Sequence, residues 1–385
     1  MPPLFVGVVT DTSQLLPPGK QKMPLLFKYF YRNLLKGLAN TRIFMYILSS
    51  RKSLPVLKYL EKKQEVFMKK RAFSLIAVAL IFAICLTACG TAKMTMGTGG
   101  TAGTYYAFGG VLGQYIKNHA GIDVTVVSTD GSKANIQSID SGDYQLGTVQ
   151  SDVMAYAWNG TNSFEEDGAV DSFRVVGGLY AEAVQLVTMN PDIKSVADLA
   201  GKSVSIGAPG SGVYFNAIDV LAAAGLTEKD IKAQYQSFND STEALKDGKI
   251  DAAFIVAGAP TPAITELATT NSAYLVPIDG EFAQAVMEKC PYYTVHTIPA
   301  NTYPGQDTDI QTVTVKATLI VSASADEESV YNLTKAIYDN ADAIAAENAK
   351  GAELTLENAT SGMTAPFHAG TAKYFAEKGI TVESK

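Results

Sequence analysis

After Cys89 the apolar positions of the chain follow two alternating periods. Short runs rich in Val, Ile, Leu and Thr predict strands over 94–97, 124–128, 145–149, 174–179, 184–189, 203–207, 250–256, 273–277 and 313–322. Between them, apolar residues recur at helical spacing and predict helices over 104–119, 132–141, 151–158, 212–224, 241–247 and 261–269. Further helices are predicted over 281–289, 327–348 and 370–378. Strands that alternate with helices imply parallel βαβ units in open α/β sheets. Ligands of such sheets sit beyond the carboxyl ends of the strands, at helix N-termini.

Two strand-to-helix turns fit that place. The first runs Gly97-Thr98-Gly99-Gly100-Thr101-Ala102-Gly103-Thr104-Tyr105. Its glycines allow close backbone approach, and its hydroxyls and free N–H groups favour an anion. The segment contains G-x-G-x-x-A, but the dinucleotide fingerprint needs an acid about 20 residues on. The first acid after the second strand is Asp130, 31 positions past Gly99. The second turn is Ser205-Ile206-Gly207-Ala208-Pro209-Gly210-Ser211-Gly212, with Ser211 placed to cap the helix or touch a ligand. Gly201-Lys202-Ser203 lacks a P-loop glycine at 196, which is Val196. Two more strand ends offer candidates, Gln150-Ser151-Asp152 and Gly258-Ala259, and Tyr293 could pack across a ligand. The two similar glycine turns lie about a hundred residues apart, which suggests two lobes around one cleft.

Charge divides the chain. Residues 1–89 carry 14 Lys and Arg against 3 Asp and Glu, whereas 90–385 carry 17 against 35. An acidic body excludes a nucleic-acid partner, since phosphate binding needs clustered cations. Its one arginine is Arg174, so a multi-arginine anion clamp is excluded as well. Cys85, Cys89 and Cys290 form no CxxC pair, and no metal site or cofactor is expected. An enzyme would need a nucleophile and a base; Cys290 and His296 are the thin candidates, and no catalytic residue is assigned.

The basic segment Met68-Lys69-Lys70-Arg71 precedes a charge-free apolar run over 72–88, which ends in Leu86-Thr87-Ala88-Cys89. This is the layout of a secretory signal, and at 17 residues the run is marginal for spanning a membrane. Leu-x-Ala-Cys resembles a bacterial lipobox, which implies that Cys89 is acylated and becomes the first mature residue. Translation is expected to start at Met68, leaving 1–67 an artefactual or unassigned extension.

These segments, in this order, resemble the TAXI solute receptors of TRAP transporters, over nearly everything from 94 to 379. The resemblance rests on the first glycine loop, on Leu245-Lys246-Asp247-Gly248-Lys249-Ile250-Asp251-Ala252-Ala253-Phe254 leading to Gly258-Ala259-Pro260, and above all on Pro366-Phe367-His368-Ala369-Gly370. It implies a two-lobed type II periplasmic-binding-protein fold of α/β class, with lobe 1 over 91–183 and 300–385 and lobe 2 over 184–299. It also implies a monomeric, exported and lipid-anchored receptor that hands a small carboxylate, such as glutamate or a 2-oxo dicarboxylate, to TRAP membrane subunits. An ABC importer or a sensor is the alternative partner. The expected contacts are Gly99, Gly100, Thr101, Thr104, Tyr105, Gln150, Ser151, Asp152, Ser211, Gly212, Gly258, Ala259 and Tyr293, with Asp152 the carboxylate nearest to an α-amino group. Arg174 is expected to stand outside the site.

Overall fold

The computed structural model describes residues 92–385; the signal, Cys89 and the upstream extension lie outside the described residues. In chain order the described residues begin with β1 (Lys93–Gly97), α1 (Thr104–Ala120), β2 (Asp123–Val127), α2 (Ser132–Asp140), β3 (Leu146–Gln150) and α3 (Ser151–Asn159). Next come β4 (Phe173–Thr188), β5 (Ser203–Ser205), α4 (Gly212–Ala223), β6 (Lys232–Gln234), α5 (Phe238–Lys246) and β7 (Ala252–Ala257). After α6 (Pro262–Thr270), β8 (Tyr274–Val276), α7 (Gly280–Lys289) and β9 (Thr294–Ile298), the long β10 (Ile310–Ser322) returns. The chain closes with α8 (Glu327–Tyr338), α9 (Ala341–Glu347), α10 (Leu356–Thr360) and α11 (Ala369–Glu377).

All ten strands join one sheet, along the path β2-β1-β3-β10-β4-β7-β5-β6, with β8 beside β4 and β9 beside β10. The βαβ reading holds at both ends, where β1 pairs in parallel with β2 and β3, and β5 with β6 and β7. The middle departs from it, because β4 and β10 are antiparallel to each other and to their neighbours. Both are long enough to serve two half-sheets. β4 pairs with β10 from Phe173 to Ala183 and with β7 from Ala183 to Thr188. β10 pairs with β9 up to Thr314 and with β3 from Ala317 on, with register shifts near Lys316 and Leu319 that bend it.

The sequence predicts two strands where β4 is continuous. Glu182 falls in the gap between the two predicted strands, and a carboxylate in a buried strand is costly. The strand nonetheless runs through, with every residue but Ala181 buried. The predicted helix over 327–348 is likewise two helices, broken at Asp339–Asn340. The Pro366–Gly370 segment extends the sheet: Val175 N–H donates to the Pro366 carbonyl at 3.0 Å, and His368 N–H to the Val175 carbonyl at 3.0 Å. His368 then caps α11, its Nδ1 accepting Gly370 N–H at 3.2 Å while Nε2 meets the Ala325 carbonyl at 3.1 Å. No described helix is long and apolar enough to cross a membrane.

Candidate functional site

Four helix N-termini converge on one cleft between the half-sheets. One wall is the Gly99–Tyr105 turn with the start of α1, then 129–132 before α2, and Gln150 at the end of β3. The other wall is Ala208 and Ser211–Val213 at the start of α4, then 236–238 at the start of α5, and Val256 and Ala257 closing β7. Glu182 lies between them. About 80 Å³ is open to the centre of a water-sized sphere, room for a handful of waters or one small molecule. The walls therefore gather orphan N–H groups and the positive ends of helix dipoles around a small space.

Local chemistry fixes the first wall. Asn135, fully buried on α2, donates from Nδ2 to the Thr98 carbonyl at 2.7 Å and the Thr148 carbonyl at 2.8 Å. Its Oδ1 accepts the Thr129 hydroxyl at 2.7 Å, so one amide ties together the ends of β1, β2 and β3. Gly97 is required there, because a Cβ would run into the Asn135 amide. On the second wall, the Ser211 hydroxyl accepts from Tyr214 N–H at 3.3 Å and donates to the Ala208 carbonyl at 2.7 Å. It is a helix cap, as its residue type allowed.

The cleft is held closed by contacts across it. Lys133 N–H donates to the Gly210 carbonyl at 3.1 Å, Ala263 N–H to the Ala102 carbonyl at 3.2 Å, and the Thr104 hydroxyl to the Gly258 carbonyl at 2.9 Å. The Gln150 amide packs directly on Gly212, where a Cβ would overlap it.

Of the residues expected from sequence, Gly99, Gly100, Thr104, Tyr105, Gln150, Ser211 and Gly212 line this cleft together. The others do not. Thr101 is exposed on the outer side of its turn. Ser151 is turned to β10, its Oγ accepting Lys316 N–H at 3.1 Å. Asp152 is fully buried behind the wall and accepts from Asn216 Nδ2 at 2.8 Å; burial lifts its carboxyl to about 7. The Tyr293 hydroxyl accepts from the same Asn216 at 2.7 Å and donates to Asp219 at 3.1 Å. Gly258 and Ala259 lie past the end of β7, where the Gly258 carbonyl receives Thr104. Arg174 stands outside the cleft, donating to the carbonyls of Asp171, Phe173 and Lys385 and lying 5.6 Å over Trp158. Cys290 is buried against the Tyr156 hydroxyl at 3.2 Å, and burial pushes its thiol up to about 11, which keeps it protonated.

Sequence reasoning missed Glu182, Thr129, Asn135, Gln236 and Phe238. Asn135 gave one signal, a polar side chain on the apolar face of its helix beside Ile136 and Ile139. Glu182 gave another, a lone acid amid the apolar positions of 173–188. Burial pushes its carboxyl up to about 8, and Asp152 adds repulsion, while Tyr105, Gln150 and Lys350 draw it back. Among the described residues Glu182 and Asp130 are the only ionisable carboxylic side chains on the cleft wall, which carries no basic one.

A sheet of two parallel halves bridged by two long antiparallel strands, with a helix-lined cleft at the carboxyl ends of the strands, is the type II periplasmic-binding-protein fold. The chain belongs to the NMT1-like family, which it matches over residues 96–379. Among solved structures it is similar to the alkanesulfonate-binding protein SsuA of Xanthomonas axonopodis pv. citri bound to MOPS, at 17% identity and TM-score 0.42, over 74% of this chain and 91% of that one. It is also similar to a putative L-cystine ABC transporter protein of Listeria monocytogenes, at 17% identity and TM-score 0.44, over 69% and 99%. A third similarity is to the GluR0 ligand-binding core of Nostoc punctiforme in complex with L-glutamate, at 16% identity and TM-score 0.40, over 68% and 96%. The ligands named are those proteins' own.

Proposed function

We propose that this protein is an extracytoplasmic solute receptor, which closes on a small carboxylate and delivers it to a membrane transporter of the TRAP type. The observation that carries the reading is the convergence of the α1 and α4 N-termini on a small closed cleft whose wall, among the described residues, has no basic side chain. A carboxylate there is met by backbone N–H groups and helix dipoles, as at other helix N-termini. The lobes are taken as 91–183 with 300–385, and 184–299, hinged where β4 passes from β10 to β7 at Ala183.

The Thr104 hydroxyl already serves the Gly258 carbonyl, so its part in binding is to hold the halves together. Thr104→Val is expected to weaken solute affinity about 10-fold, the worth of one buried hydrogen bond at about 1–1.5 kcal/mol. Arg174→Gln is expected to leave affinity unchanged in the folded protein. Calorimetry with L-glutamate and 2-oxoglutarate checks both, and the opposite pattern would place the site elsewhere.

Acylation of Cys89 is proposed to hold the receptor at the outer face of the cell membrane. Intact-mass analysis of membrane-extracted protein should give a chain that begins at lipidated Cys89, and Cys89→Ser should leave the signal uncut at that position. Uptake that collapses with the ion gradient, and not with ATP depletion alone, is the expected sign of a TRAP partner; the reverse would indicate an ABC importer.

A further inference from the structure

We propose that Glu182 and Gln150 form an ammonium subsite within the cleft, so that the solute is an amino acid and not the matching 2-oxo acid. The inference rests on the receptor reading above and adds the second functional group of the ligand. Glu182 is 2% exposed and Gln150 is 2% exposed, and both line the cleft. Gln150 Nε2 donates to Glu182 Oε2 at 3.3 Å, which fixes the amide with its oxygen turned the other way. Glu182 Oε1 and Gln150 Oε1 are then left without partners, and so is Oε1 of Gln236 in the opposite wall.

Buried polar atoms without partners are costly and rare. Here three of them are acceptors, and an ammonium group offers three donors and no acceptor. Among the described residues the wall's unpartnered donor is the Tyr105 hydroxyl, so a ketone oxygen in the same place would add a fourth acceptor to a set with a single donor. Charge points the same way, since among the described residues the wall carries two carboxylic acids, Asp130 and Glu182, and no basic side chain.

The groups that face Glu182 are Tyr105 from α1, Asp152 from α3, Tyr180 two residues before it on β4, and Lys350 from the turn after α9, with the Gln150 amide beside them. Lys350 is engaged with Glu353 at 2.8 Å and lies over the Tyr180 ring at 5.8 Å. Burial pushes the Glu182 carboxyl up to about 8, so it can carry a proton at neutral pH until a cation takes its place. When an ammonium arrives, the carboxyl O–H bond breaks and its proton leaves to water. The carboxylate then accepts an N–H of the ligand, and the ligand keeps its own proton.

The test uses the full chain. The L-amino acids and their matching 2-oxo acids are screened singly by thermal shift, and each hit is titrated by calorimetry at pH 7 in phosphate and in Tris. The expected result is binding of one or a few amino acids, no comparable 2-oxo acid, and a buffer-dependent heat that reports proton release. Glu182→Gln should weaken the amino-acid hit about 10- to 150-fold and abolish the proton release. Tighter binding of 2-oxo acids would overturn the ammonium subsite and leave the receptor standing. Amino-acid binding that Glu182→Gln leaves unchanged would overturn it as well, and where that variant fails to fold, unchanged binding in Gln150→Leu would do so. Silence from both classes would overturn the small-carboxylate reading itself, and this inference with it.

Discussion

Gly212→Ala is expected to weaken solute binding about 100-fold or more while leaving thermal stability within a few degrees of the parent. Gly212 is the first residue of α4, and a Cβ there would overlap the Gln150 side-chain amide. Gln150 is buried and tied to Glu182, so its amide can swing aside only into the cleft and at the cost of that bond. The chain must either break that pair or keep the half-sheets apart. Both remove the closed, binding-competent state. A 100-fold loss corresponds to about 2.8 kcal/mol, an ordinary cost for overpacking a well-filled site. Stability should hold because alanine favours helix over glycine and its methyl clashes only across the cleft. Calorimetry with the hit from the amino-acid screen, beside a thermal melt, checks the two halves of the claim. Unchanged affinity would mean that the halves do not meet at Gly212.

Gly370→Ala is expected to do the reverse, lowering stability with little effect on the affinity of the protein that remains folded. In α11 this glycine lies against the backbone of α8: a Cβ would overlap the Glu327 carbonyl and fall 2.7 Å from Tyr331 N. Both obstacles are main chain of a packed helix, so neither can swing away as a side chain could. A loss of about 2–3 kcal/mol is expected, roughly a 4–12 °C fall in Tm for a domain of this size. Gly110, exposed in α1 with nothing near its absent Cβ, is the control. Gly110→Ala should stabilise by about 0.5–1 kcal/mol. Equal melting of the two variants would show that α8 and α11 are not in close backbone contact.

Gly370 also accounts physically for the Pro366–Gly370 phrase that carried the family resemblance. The segment adds a short edge to β4 through Pro366 and His368, caps α11 with the His368 ring, and lets α11 approach α8. These contacts act on structure, and none of the residues 366–370 lines the cleft.

The two glycine turns were legible in the chain because their chemistry is local. Strand, glycine and helix start follow each other within a dozen residues, and a helix N-terminus offers its N–H groups wherever it is placed. The same holds for the βαβ units at both ends of the sheet. Asp152 misled for a related reason: adjacency to Gln150 in sequence suggested adjacency in the site, yet successive residues at a strand-to-helix junction face different ways. Gln150 points into the cleft, and Asp152 one turn-direction on is sealed behind it against Asn216.

What the sequence determined by itself is thus the alternation of elements, the turns that could meet an anion, and the absence of an arginine clamp. The tertiary structure decided that 173–188 is one strand shared by two half-sheets, and that Glu182 on it faces the space between the α1 and α4 termini. No local pattern could fix this, because the place of Glu182 depends on pairing with β10, more than a hundred residues away. Only that pairing surrounds the carboxyl with protein, withdraws it from water and leaves one of its oxygens waiting for a donor.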